Sequence, residues 1–71
     1  MHILIFKTNI STLKQLRKIK PLLNSLPNII RWNIDQEDID NILRIETEKN
    51  ISNQIESKLQ EEGYYCKELP D

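Results

Sequence analysis

The stretch KTNISTLKQL, residues 7–16, joins two different periodicities. Before it, residues 2–7 (HILIFK) are continuously apolar and rich in β-formers, the pattern of a strand buried on both faces or nearly so. After it, Leu13, Leu16, Ile19, Leu23 and Leu26 recur at helical spacing as one apolar stripe, with Lys14, Arg17, Lys18 and Lys20 off that stripe. The hydroxyl of Ser11 or Thr12 is placed to accept a bond from an orphan N–H of the first helical turn. The junction therefore reads as strand, short polar loop, capped helix. Pro21 removes a helical donor and crowds the turn before it, which predicts a kink or a reorganised helix near Lys20.

Outward from this junction the pattern continues in order. Leu26-Pro27-Asn28 closes the helix, and residues 29–34 (IIRWNI) alternate as a second strand, with Ile30, Trp32 and Ile34 on one face and Trp32 assigned to the core. Asp35-Gln36-Glu37-Asp38 and Asp40-Asn41 form an acidic hairpin connection to a third strand, residues 42–47 (ILRIET). Ile51, Ile55 and Leu59 mark a second helix, capped by Asn50 or Ser52 and stopped at Gly63. Residues 64–69 (YYCKEL) make a last short strand. Strand, helix, strand, strand, helix, strand predicts an α+β fold: a ferredoxin-like βαββαβ sandwich whose four-stranded antiparallel sheet carries two helices on one face.

Size and charge narrow the function classes. The 71 residues form one domain, residues 1–71. Ten basic and eleven acidic residues leave a net charge of −1, with no cationic excess to hold a nucleic-acid backbone or an anionic membrane. Ile3-Leu4-Ile5-Phe6 is too short to span a bilayer or to serve as an export signal, which places the chain in the cytoplasm. The single cysteine, Cys66, excludes an internal disulfide and a zinc site of several thiolates.

The apolar frame resembles the heavy-metal-associated domain family, which includes copper chaperones and the N-terminal modules of metal-transporting ATPases. Ile10-Ser11-Thr12 with Gln15 fills the frame of that family's M-[ST]-C-x-x-C loop. Leu16, Ile19 and Leu23 fall on its apolar helix positions, Leu26-Pro27-Asn28-Ile29 on its L-x-G-V, and Trp32 and Ile34 on its second strand. Asp35 and Glu37 stand at its acidic turn, and Ile55, Leu59 and Gly63-Tyr64 match its closing I-x-x-x-I-x-x-x-G-[YF]. The resemblance implies a metal loop at residues 8–15, but its two cysteine positions are Thr12 and Gln15 counted from the helix, or Ser11 and Lys14 counted from the strand. Neither register supplies a thiolate, and soft cations such as Cu(I) require one. The resemblance thus implies the family's scaffold without its metal site, and no cofactor.

Three features remain as candidates. Cys66 and His2 fall on the last and first strands, which this fold pairs, so Cys66 is a candidate soft-metal ligand, alone or bridging two copies to copper or zinc; the plainer reading is a small packing residue. Tyr64 follows the second helix, where the family's closing loop lies beside its metal loop, so Asn9, Ile10, Ser11 and Tyr64 form a candidate surface for docking another protein. Lys14, Arg17, Lys18 and Lys20 against the acidic hairpin and Glu61-Glu62 polarise the charge. RNA recognition on this topology needs aromatics on the first and third strands, and the third strand, ILRIET, has none. No nucleophile stands beside a base, and His2 is the only histidine, which argues against an enzyme. The sequence reads as a non-catalytic protein-interaction or accessory module.

Overall fold

A computed structural model describes residues 1–37 and 39–70. Among them, in chain order, are β1 (His2–Thr8), α1 (Leu13–Asn24), β2 (Ile29–Asp35), β3 (Ile42–Thr47), α2 (Ser52–Glu61) and β4 (Cys66–Glu68). All strand pairs are antiparallel, in the order β2-β3-β1-β4. The molecule is therefore a small α+β domain with a four-stranded antiparallel sheet and two helices.

The β1–β3 ladder fixes the core. Leu4 stands opposite Ile45 and Phe6 opposite Leu43, and strand alternation puts all four on one face. Both helices bury their apolar stripes in the same cluster, through Ile19 and Leu23 of α1 and Ile55 and Leu59 of α2. Ile10 and Ile51, each just before a helix, complete it with Cys66 of β4. Leu13 is the exception to the predicted α1 stripe: it is 63% exposed, because at about 100° per residue it lies about 120° around the helix from Ile19.

Several boundaries differ from the sequence reading. Pro21 sits within a continuous α1, on its exposed side, and its carbonyl accepts from Ser25 N–H. Only one ladder bond of the helix is lost to the missing N–H. The last strand spans Cys66–Glu68 rather than 64–69, though Leu69 N–H still reaches Ile5 O at 2.8 Å. Neither Asn50 nor Ser52 is the α2 N-cap; that position is Ile51, and Asn50 Oδ1 accepts from Ser52 N–H. Gly63 does stop α2. At φ +90° it lets its own N–H bond Gln60 O and Tyr64 N–H bond Leu59 O, a Schellman closure. Trp32 is half-buried at the rim of the core, and its indole N–H donates to Asn24 Oδ1 at 3.1 Å. Part of the acidic hairpin reading, Asp38, lies outside the described residues.

The other sheet face holds a buried carboxylate. Glu46 alternates with the core residues Ile45 and Thr47, so it projects away from the helices, yet it is only 5% exposed. Arg31 on β2 lies opposite it and pairs with it, and Arg44 Nη1 reaches it at 3.2 Å. The hydrogen bond from Arg31 holds the Glu46 carboxyl below its ordinary value of 4.5, against the opposing effect of burial. A carboxyl whose folded pKa is depressed stabilises the fold above its ordinary pKa, and that contribution is lost as pH falls through the folded value. Urea midpoints measured on both sides of about pH 4.5 should therefore fall more steeply for the wild type than for Glu46→Gln. Equal slopes would mean that the Arg31–Glu46 pair adds nothing to the acid limb.

Candidate functional site

The loop after β1 is built from reciprocal hydrogen bonds. Thr8 is buried, its Oγ1 donating to Asn41 O at 2.7 Å and accepting from Ile10 N–H at 3.2 Å. These bonds pin the loop to the β2–β3 hairpin and turn Ile10 inward, where it is fully buried. Asn9 Oδ1 accepts from Tyr65 N–H at 3.0 Å, tying the loop to the segment between α2 and β4.

Thr12 is the α1 N-cap, and it forms a capping box with Gln15. Thr12 Oγ1 accepts from Gln15 N–H at 3.1 Å, while Gln15 Oε1 accepts from Thr12 N–H at 3.2 Å and from Ser11 N–H at 2.9 Å. From the hairpin, Gln36 Nε2 donates to Thr12 O at 3.1 Å. The side chains of Thr12 and Gln15 are thus both bonded around the helix N-terminus. T-x-x-Q is itself the sequence signature of such a box, so the sequence marks Gln15 as the cap partner of the Thr12 hydroxyl.

The other candidate residues separate. Ile10 has no exposed surface and cannot belong to a docking patch; it positions the loop from within. Asn9, Ser11, Thr12 and Lys14 are exposed. Tyr64, partly buried against the core, lines a shallow depression with Lys18, Pro21, Leu22 and Glu62, along the later half of α1. It is the neighbouring Tyr65 backbone that meets residue 9. The exposed surface next to the loop is accordingly α1 itself, with Leu13 at its start. Lys14, Arg17, Lys18 and Lys20 give this helix four cations and no acid, and none of the four forms an ion pair among the described residues.

His2 and Cys66 are not brought together. Cys66 pairs with Thr8, whereas His2 lies six residues away along β1 opposite Thr47 of β3, a separation of about 20 Å at the usual strand rise. Cys66 is buried in the core, and burial pushes its thiol up to about 12, with the Glu56 carboxylate adding to the effect. Among the described residues no group of three or more His, Cys, Asp or Glu side chains is arranged to hold a metal ion. Among the described residues no helix is long and apolar enough to cross a membrane.

No family model matches the chain, and no curated protein or solved structure matches it.

Two measurements follow from this geometry. Thr12→Ala should cost about 1 kcal/mol in urea unfolding, the usual value of an N-cap side chain, whereas an ornamental box would leave the midpoint unchanged. At pH 8 a thiol reagent should label native Cys66 on the order of a thousandfold more slowly than it labels the unfolded chain, because the thiolate is scarce and shielded. Comparable rates would place the sulfur at the surface.

Proposed function

We propose that this chain is a ferredoxin-like βαββαβ domain of the heavy-metal-associated type that has lost its metal thiolates and acts as a non-catalytic docking module in the cytoplasm. The observation that carries the reading is the capping box. Thr12 and Gln15, which stand where the family places its metal-gripping cysteines, bond each other and the helix N-terminus, so their polar atoms serve the helix. The buried, high-pKa Cys66 offers no ready thiolate in their place. A soft-metal role through Cys66 would need the core to open, and it is the weaker reading.

The docking surface is α1 with the loop before it. Asn9, Ser11 and Leu13 flank the helix start, and the depression under Tyr64 flanks its later half. Four cations along the helix, none in an ion pair among the described residues, favour an acidic partner, which they steer over roughly a Debye length, about 8 Å at physiological salt. Exposed Leu13 supplies apolar area beside that charge, with the part of Tyr64 that is not packed against the core.

The test is amide NMR of the chain titrated with a panel of acidic amphipathic peptides, in parallel with anaerobic Cu(I) and Zn(II) against a competing chelator. Peptide-induced shifts should cluster at residues 9–20 and 64, weaken as salt is raised, survive Cys66→Ser and vanish in Lys14→Glu/Lys18→Glu. The metals should leave residues 8–15 and 64–66 unmoved. A stoichiometric metal shift there, or peptide binding indifferent to the charge reversal, would sink the proposal.

A further inference from the structure

We infer that the groove between α1 and α2, on the outer side of the helix layer, receives an amphipathic helix of a partner protein. The inference names the occupant of the α1 docking surface and rests on that reading.

Two shallow depressions adjoin between the helices. The first is lined by Lys18, Pro21 and Leu22 of α1 with Glu62 and Tyr64 after α2. The second is lined by Leu26, just past α1, with Gln54, Ser57, Lys58 and Glu61 of α2. Rising residue numbers along α1 thus meet falling numbers along α2, so the helices run antiparallel and the depressions follow the seam between them. Leu22, Leu26 and Tyr64 pack on the core with one side and are only partly buried, and Pro21 is exposed, which makes the floor apolar. From residue 18 to residue 26 the seam runs about 12 Å at the usual helical rise.

Backbone chemistry selects the form of the occupant. Helices wall this groove, and their ladder bonds are internal, so it offers no strand edge. An extended segment laid on the floor would leave its own N–H and C=O groups against apolar side chains. A helix bonds its own backbone and presents apolar residues at i, i+4 and i+7, which matches a seam of this length.

Charge selects the flanks. On the α1 rim, Lys14 and Arg17 stand one turn before Lys18 and Pro21, and no acid lies on that helix. On the α2 rim, Glu61 and Glu62 lie toward the Tyr64 end and Lys58 toward the Leu26 end. None of these charged groups is in an ion pair among the described residues. The occupant therefore carries carboxylates along the flank over α1. Its other flank carries cations beside Glu61 and Glu62 and a carboxylate beside Lys58. A second copy of the chain supplies no such helix, because its α1 has no acid and both its helices bury their apolar stripes in its own core.

The experiment uses the whole chain and a stapled helical peptide of about three turns. The peptide has leucines at i, i+4 and i+7, glutamates along one flank, and two lysines followed by a glutamate along the other. Saturable amide shifts at residues 18–26 and 54–64, at one peptide per chain, are the expected result. The same peptide with a central proline should bind on the order of a hundredfold more weakly, the penalty of proline inside a helix. Lys18→Glu and Glu62→Lys, both at exposed positions, should each weaken binding about threefold or more. Equal binding of the proline peptide would overturn the inference in favour of an extended ligand. Self-association of the chain that shields residues 18–26 and 54–64 from the peptide would overturn it in favour of a second copy. Shifts confined to residues 9–20 and 64, or tighter binding by Glu62→Lys, would overturn it while leaving the α1 docking proposal standing. Failure of this peptide and of every acidic peptide would end both.

Discussion

The β1–β3 ladder is the contact on which the other parts lean. Helices of 12 and 10 residues are marginal by themselves in water, and each gains its stability by burying one stripe. The surface they need exists only while Leu4, Phe6, Leu43 and Ile45 share a face, and a slip of one residue would turn those side chains to the opposite side. The same alternation forces Glu46 onto the open face between Ile45 and Thr47. Its burial there is tolerable because Arg31 and Arg44 converge on it, one from the edge strand and one from its own strand. Core and ion-pair cluster are two consequences of one register.

The junction at residues 8–15 solves a second problem, how to leave a strand and enter a helix within four residues. The first N–H groups of a helix have no internal partners, and something must satisfy them. Here the Thr12 hydroxyl and Gln15 amide do so reciprocally, and Thr8 and Asn9 anchor the preceding turn to two other segments of the chain. A loop so closed by short-range bonds has its polar atoms committed to holding the backbone. Its contribution to function is then the shape and charge it presents, which is why the α1 surface rather than the loop interior is proposed for docking.

Periodicity made both helices and the second strand legible, a continuous apolar run marked the first strand, and Gly63 marked the end of α2 through its positive φ. Two successive steps of three residues turn Leu13 about 120° around the helix from Ile19, a drift that takes it off the buried stripe. The short β4 and the pairing of Cys66 with Thr8 depend on where β1 and β4 begin to overlap, a tertiary fact with no local signal; with it fell the neighbourhood of His2 and Cys66. Tyr64 was placed by analogy with a metal loop, and its actual site along α1 follows from the Schellman closure that aims the chain at Gly63. The burial of Glu46 was invisible for a different reason. Its partner Arg31 is fifteen residues away and meets it only through the β2–β3 register.

The charge of this chain is concentrated on one helix. Four of the ten basic residues lie on α1, so a chain of net charge −1 carries a concentrated cationic ridge on an otherwise acidic body. All four are exposed and none is in an ion pair among the described residues, so their field is left to the solvent side of the helix, and that is why the docking proposal asks for an acidic partner.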